Sequence, residues 1–204
     1  MTTAAERAAR GSTDKFAQRR RLLAQSAISA IAERGFANTG LRDIAQHSDL
    51  SHGSLHYYFT DKDDLIAESV WLFKSACARR YDEIVDTAST GEDLAARVAE
   101  EMARTLREEA DTHRLWYDLR NQAQFGAGFG DTIVRIDDLL EQMVWAILSR
   151  YAELAGRESS FDPRLGYAVV DGIFQHALLR LQRGDAEAAD RLRSECRRLI
   201  IASA

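Results

Sequence analysis

The sequence predicts an all-α fold of about nine helices, and three observations carry that prediction. A single proline stands in 204 residues. Apolar residues recur every three or four positions almost throughout. No segment alternates apolar with polar residues as a half-buried strand would, and Val169-Val170 is the only adjacent valine pair.

Each helix follows from local signals. The first is expected from about Asp14 to Arg34, with Leu23, Ala27 and Ile31 on one face and Gly35 as the residue that ends it. A short second helix begins after Thr39 as N-cap and runs through Ile44 and Ala45. A short third helix begins at Ser51, again a good N-cap, and reaches about Tyr57. Asp61 starts a long fourth helix whose stripe is Ile66, Val70, Phe73, Cys77, Tyr81 and Ile84. The fifth follows Gly91 with Leu94, Val98, Met102 and Leu106, and the sixth covers Asp111 to Gln124, stopping at the FGAGFG stretch. A long seventh repeats Ile133, Ile136, Leu140, Met143, Ile147, Tyr151 and Leu154. Asp162-Pro163 supplies an N-cap and a first-turn proline for the eighth, which Gly184 closes near Arg183. Asp185 is expected to cap the ninth.

Three short helices followed by a larger helical body suggest a division into residues 1–60 and 61–204, with the fourth helix coupling the two. The charge divides in the same place. Residues 1–60 carry eight Lys/Arg against five Asp/Glu, a balance of +3, while the remainder carries −8. A basic arm on an acidic body suits an anionic partner at one end. Composition excludes other classes: 46% hydrophobic and 29% charged residues do not make a disordered chain, and no apolar run approaches the length of a membrane span. The N-terminal MTTAAERAARGSTDKF lacks the apolar stretch of a signal peptide. Two cysteines, Cys77 and Cys196, form no CxxC pair. A reducing, cytoplasmic setting is expected.

Residues 39–59, TGLRDIAQHSDLSHGSLHYYF, carry the chemistry. Two short helices meet at a turn near Ser48-Asp49-Leu50, Ala45 is small where they would cross, and Leu50 and Leu55 supply apolar contacts. The second helix then presents Ser51, His52, Gly53, Ser54 and His56. A recognition helix needs small or hydrogen-bonding side chains facing the major groove. The same pattern also fits a plain αα-corner.

The stretch Arg21–Leu65 resembles the N-terminal domain of the TetR family of bacterial transcription regulators. The resemblance rests on Ala27…Ile31, Glu33-Arg34-Gly35-Phe36, Thr39, Asp43-Ile44-Ala45, Leu50-Ser51, Gly53-Ser54-Leu55, Tyr57, Phe59 and Lys62-Asp63-Asp64-Leu65. It implies that the third helix reads DNA, that the first three helices form the head, and that the eighth and ninth build a homodimer. It also implies a small-molecule effector, and a repressor released from an operator when the effector binds. Two positions depart from the pattern: Asp49 stands where the turn usually has Gly, and His56 where the first of two tyrosines is common.

The expected DNA contacts are Arg19, Thr39, Arg42, Ser51, His52, Gly53, Ser54, His56, Tyr57 and Lys62. Thr39 is expected to cap the second helix with its amides toward a phosphate. Lys62 and Arg19–Arg21 are expected near the backbone. Ser51, His52, Gly53 and Ser54 form the base-edge group, and Arg42 stands nearest to the role of a guanine-reading arginine. His52 and His56 share a helical face, but position 53 lacks the glutamate of a zincin pattern, so no metal or other cofactor is expected. No catalytic constellation is present, and no enzyme activity is expected.

In the body, Met102, Trp116, Tyr117, Arg120, Phe125, Trp145 and Phe174 are candidate effector contacts, and each also reads as an ordinary core or surface residue. Among polar residues with apolar neighbours, His113 and His176 stand out beside Arg120. The ninth helix repeats Ala189, Leu192, Cys196 and Leu199, with Arg191, Arg193, Arg197 and Arg198 on its charged side. The eighth is apolar over a wide arc. Val170, Phe174, Leu178, Leu192, Cys196 and Leu199 are therefore the expected dimer contacts. A different class of function stays open: a helical adaptor whose helix-turn-helix no longer reads DNA.

Overall fold

The computed structural model describes residues 4–35, 40–47, 51–126 and 128–204, with side chains from residue 14 onward and excluding that of His47. Among the described residues there are nine helices: α1 (Ala4–Arg34), α2 (Leu41–His47), α3 (His52–Tyr58), α4 (Lys62–Thr87), α5 (Gly91–Glu108), α6 (Ala110–Ala123), α7 (Gly130–Ala155), α8 (Pro163–Gln182) and α9 (Ala188–Ala202). None is long and apolar enough to cross a membrane. By contacts the chain divides into a head unit, Met1–Phe73 with Asp118–Ile133, and a body unit, Lys74–Tyr117 with Val134–Ala204. Helix α4 contributes residues to both.

Most helix boundaries follow the expected caps. Ser51 is extended at the start of α3, and its hydroxyl accepts from Ser54 N–H at 3.0 Å. Asp61 accepts from Asp64 N–H at 2.9 Å as α4 begins. Asp162 accepts from Leu165 N–H at 2.8 Å, with Pro163 in the first turn of α8. Gly184, at φ +85°, donates to Leu181 C=O and closes α8 through the left-handed conformation that glycine adopts without a Cβ penalty.

Three boundaries differ from expectation. Helix α1 begins at Ala4 rather than near Asp14, because the segment AAERAAR is rich in strong helix formers. The residue before α2 is Gly40, whose N–H donates to Asp43 at 2.9 Å, so the carboxylate three residues on makes the reciprocal half of a capping box. Thr39 and the turn Ser48-Asp49-Leu50 lie outside the described residues. Helix α9 begins three residues after Asp185, with Glu187 at its N-cap and no side-chain cap bond. Asp185 instead accepts from Glu187 N–H at 3.1 Å and ion-pairs with Arg191.

The head unit packs α1, α2 and α3 around buried Leu23, Ala27, Ile31, Ile44, Ala45 and Leu55. Leu55, on α3, has no exposed area. The start of α4 is fastened to α1 by Ser69, whose buried hydroxyl donates to Ala24 C=O at 2.9 Å. Arg20 holds the end of α3 to α4. Its guanidinium donates to Tyr58 C=O at 2.8 Å, pairs with Asp64 and Glu68, and lies 4.6 Å from the centre of the Phe59 ring.

The Arg20 hydrogen bond is the main cause that lowers the Asp64 pKa below its ordinary 3.8. A carboxylate depressed in the folded state stabilises fully above its unfolded value and loses that contribution as pH falls through the folded value. Urea melts of wild type and Asp64→Asn should therefore differ at pH 7 and converge below about pH 4. A gap that stays constant down to pH 3 would contradict this assignment.

In the body unit, α5 and α9 pack along their length and α8 lies against both. Leu94, Val98, Met102 and Leu106 of α5 meet Leu192, Cys196 and Ile200 of α9, with Cys196 Sγ 3.3 Å from Met102 Sδ. Burial pushes the Cys196 thiol up to about 12. On the charged side of α9, Arg193 pairs with Glu100 and Asp190, Arg197 with Glu92, and Arg191 with Asp185 and Glu187. At the surface such pairs add little stability each, and two of them, Arg193–Glu100 and Arg197–Glu92, join α9 to α5.

Candidate nucleic-acid interface and ligand cavity

The short helix α3 is amphipathic in an unusual way. Only Leu55 is buried, and His52, Gly53, His56 and Tyr57 are exposed, Tyr57 at 71%. The two imidazoles stand one turn apart with Nε2 atoms 3.1 Å from each other. Ser51 and Ser54 bond to each other, hydroxyl to hydroxyl, at 2.7 Å, and Ser54 is half-buried. A Cβ built on Gly53 would meet nothing within 4 Å. No packing need within the chain therefore demands glycine there, and a surface without side chains lets another molecule come close to the backbone.

Around α3 the basic and aromatic groups follow. Arg42 of α2 is exposed, and with Ala45, Gln46 and His52 it lines a shallow depression between α2 and α3. Arg19 is exposed on α1, and Lys62 is partly exposed in the first turn of α4. Phe16 of α1 lies 5.9 Å from Tyr57 and 4.8 Å from Tyr58, ring centre to ring centre. Exposed hydrogen-bonding side chains on α3, with Arg42 beside them and further cations on α1 and α4, are of the kinds that meet base edges and phosphates.

The body unit holds a small cavity of about 50 Å³ that opens to solvent. Its wall is mostly apolar, with Tyr81, Met102, Leu140, Met143, Val144, Val170 and Phe174. Polar groups converge on it from Lys74 and Cys77 of α4, Thr105 of α5, His113 and Tyr117 of α6, and Tyr167 and Asp171 of α8. Lys74 and His113 are almost wholly buried, and Lys74 Nζ stands 3.3 Å from His113 Nδ1. Burial first, and then the Lys74 and Arg80 charges, lower the His113 pKa well below 6.5, so the imidazole is neutral at pH 7. Tyr117 O–H donates to Asp171 at 2.9 Å, and Tyr167 O–H donates to Asp137. A metal ion has one candidate ligand set among the described residues, Cys77, Glu109 and His113, whose donor atoms lie within 4.8 Å of one another.

Residues 23–69 match the family model described as bacterial regulatory proteins, tetR family. That stretch is a TetR-family segment. Other comparisons agree. The transcriptional regulator PksA of Bacillus subtilis is 25% identical over 176 residues, which cover 79% of this chain and 80% of that protein. The transcriptional repressor KstR2 of Mycolicibacterium smegmatis is 36% identical over 74 residues, covering 36% of each chain. A TetR transcription regulator of Haloarcula marismortui has the same fold, with a TM-score of 0.73 at 20% identity over 92% of this chain and 98% of that one.

Within this fold the expected residues divide. Arg19, Arg42, Ser51, His52, Gly53, His56 and Tyr57 are exposed, Ser54 and Lys62 partly so, and Thr39 lies outside the described residues. Arg20 is not a free basic contact, because Asp64, Glu68 and Phe59 engage it. Of the effector candidates, Met102, Tyr117 and Phe174 line the cavity. Trp116 is buried and packs against Lys74 instead of lining it. Phe125 is 89% exposed and, like Arg120, falls in the head unit, and Trp145 is half-buried on α7 off the cavity wall. His176 is exposed.

The expected dimer contacts lie on α8 and α9. Val170, Phe174, Leu178, Leu192 and Cys196 are already buried within the one chain, and Leu199 is half-buried, because α8 and α9 turn those faces onto α5. The residue that composition did not single out is Lys74. Its signal was positional, since it sits between Val70 and Cys77 on the apolar stripe of α4, where a lysine is out of pattern.

Proposed function

We propose that this TetR-family chain is a repressor that binds a pseudo-palindromic operator as a homodimer and leaves it when a small molecule enters the body cavity. Residues 1–60 act as the reading head and residues 61–204 as the effector and dimerisation body. The observation that carries this reading is α3: one buried leucine anchors it while His52, Gly53, His56 and Tyr57 face outward. An adaptor that no longer reads DNA has no use for a glycine whose missing side chain fills no packing need. The name of the relative KstR2 as a repressor supports the sign of regulation.

A homodimer is supported by α8. Leu165 and Leu179 are 48% and 53% exposed, and Ala168, Gly172 and His176 between them are exposed at three-four spacing. That outward stripe suits a second copy of the same helix, with glycine and alanine permitting close approach. One helix-turn-helix makes few contacts, so two heads on two half-sites are needed for specific affinity. Helix α4 carries Lys62 in its first turn and Lys74, Cys77 and Tyr81 on the cavity wall, which makes it the natural link between effector and head. Linkage requires that effector and operator weaken each other by the same factor.

The test is a salt-titrated gel shift on the chain's own upstream DNA. Lys62→Ala should weaken all sequences alike and flatten the salt slope by about one unit. Gly53→Ala should raise thermal stability, by up to about 1 kcal/mol from helix propensity, yet reduce operator affinity. A Gly53→Ala protein that binds operator as tightly as wild type would remove close backbone approach from the account. Absence of any shift at low salt, where phosphate contacts are strongest, would favour the adaptor.

A further inference from the structure

The exposed face of α3 carries two imidazoles one helical turn apart. His52 and His56 are both exposed, their Nε2 atoms are 3.1 Å from each other, and their ring centres are 4.4 Å apart. Their places are set by the rest of the helix. The Ser51 cap fixes the start of α3 at His52, and buried Leu55 seats the turn that carries both rings. A Cβ on Gly53 would meet nothing within 4 Å, so there is open space on this turn. The hydrogen bond between the two rings joins exposed groups, and exchanging it for another partner costs little.

We infer that His52 and His56 form a two-imidazole site for a divalent transition-metal ion of the zinc, nickel and copper class, and that the ion competes with DNA for α3. The competition rests on the DNA-reading role proposed for α3, whereas the site itself stands on the geometry of the two rings. A zinc–nitrogen bond is about 2.0–2.1 Å, so two nitrogens on one ion stand about 2.9 Å apart at a right angle and about 3.3 Å apart at the tetrahedral angle. The observed 3.1 Å lies between them. Histidines at i and i+4 are also the spacing by which a single helix supplies two zinc ligands. In that pattern the glutamate after the first histidine is a general base and not a ligand, so Gly53 in its place leaves coordination intact. The body set Cys77, Glu109 and His113 offers three protein donors; on α3 two suffice, with water filling the open positions. Imidazole suits this class of ion, while magnesium and calcium take oxygen ligands that the two rings do not provide. Only two protein ligands, with the Arg42 charge lining the same depression as His52, make the binding reversible. An ion seated there occupies nitrogens that would otherwise meet base edges, so ion and operator should weaken each other by the same factor.

The test is titration calorimetry of the full chain, without an affinity tag, with nickel chloride and zinc chloride in a buffer that does not bind metals. Magnesium chloride is titrated in parallel. Nickel should bind at a site that His52→Ala and His56→Ala each weaken at least tenfold and that Cys77→Ser and His176→Gln leave in place. A chain carrying H56Y and Y57H together keeps its histidine count but moves the second ring off the shared face. It should bind no more tightly than His56→Ala. The Nε2 resonances of His52 and His56, followed by nitrogen NMR with zinc, should move together and saturate at one equivalent. Binding that survives either alanine substitution, that the exchanged chain retains, that depends on Cys77 or that magnesium matches would overturn the inference. So would failure of both nickel and zinc to bind. Operator affinity is read separately, by gel shift with and without saturating nickel. Nickel should lower wild-type affinity at least fivefold and leave that of His56→Ala unchanged. An ion that binds through both histidines without moving operator affinity upholds the site and overturns the competition. A chain that shifts no DNA at low salt yet holds nickel on the two histidines upholds the site and removes the DNA reading.

Discussion

Leu192→Asp is expected to unfold the body unit rather than release folded monomers. Leu192 has no exposed area and sits in the α5–α9 seam beside Cys196 and Met102. An aspartate there would be buried without a partner, at a cost of several kcal/mol, which is a large fraction of the roughly 5–15 kcal/mol that holds a domain together. Leu179→Asp makes the contrasting case. Leu179 is 53% exposed on the outer stripe of α8, so a charge there costs the single chain little. It should split the dimer and reduce operator affinity while leaving thermal stability in place. Circular dichroism melts and sedimentation velocity on the two variants separate the outcomes. A folded monomer from Leu192→Asp would show that α9 turns this face to a partner and not to α5.

Leu55→Ala should be the most damaging conservative change in the head. Leu55 is the only buried residue of α3 and has no exposed area. Leucine-to-alanine changes in cores cost about 2–5 kcal/mol, and a unit as small as a three-helix head has little to spare. DNA binding should fall for every sequence tested, because α3 loses its seat and not one base contact. A proteolysis assay that reports the head separately should show it opening first, while the ligand cavity, built from the other unit, keeps its affinity. Unchanged protease resistance together with lost DNA binding would make Leu55 a contact residue and contradict its structural role.

Much of this was legible in the sequence where a local signal decides the outcome. Ser51, Asp61 and Asp162 each have a hydroxyl or carboxylate that can accept one of the free N–H groups of a helix start, and each does so. Gly184 marks a C-terminus because the left-handed conformation there favours glycine. Periodicity identifies which residues are apolar and aligned, but not which neighbour they meet. That is why Leu192, Cys196 and Phe174 could be assigned to a partner copy when the chain's own α5 already covers them. The same gap explains Asp185: a good capping residue in sequence, it serves a turn and the Arg191 pair three residues before α9 begins.

The site divided along similar lines. Residues of α3 could be placed from sequence because one short helix with one leucine leaves its other positions little choice. The cavity could not. Tyr117 and Phe174 lie more than fifty residues apart and meet on one wall only through tertiary packing, as Lys74, Thr105 and His113 do at the polar end. The partners of Arg20 were hidden for a related reason. In sequence it is one of three consecutive arginines in a basic arm, and its acidic partners Asp64 and Glu68 come from a helix more than forty residues away.

The central claim is that α3 reads DNA sequence, and selection of bound duplexes from a random library tests it most directly. Wild type should enrich two inverted half-sites on one face of the DNA, with centres about one helical turn or a multiple of it apart. His52→Ala or Ser54→Ala should then change the enriched bases at matching positions in both half-sites, at about 1–3 kcal/mol per disrupted contact. A library that emerges without a motif, or a motif left unchanged by both substitutions, would contradict the claim.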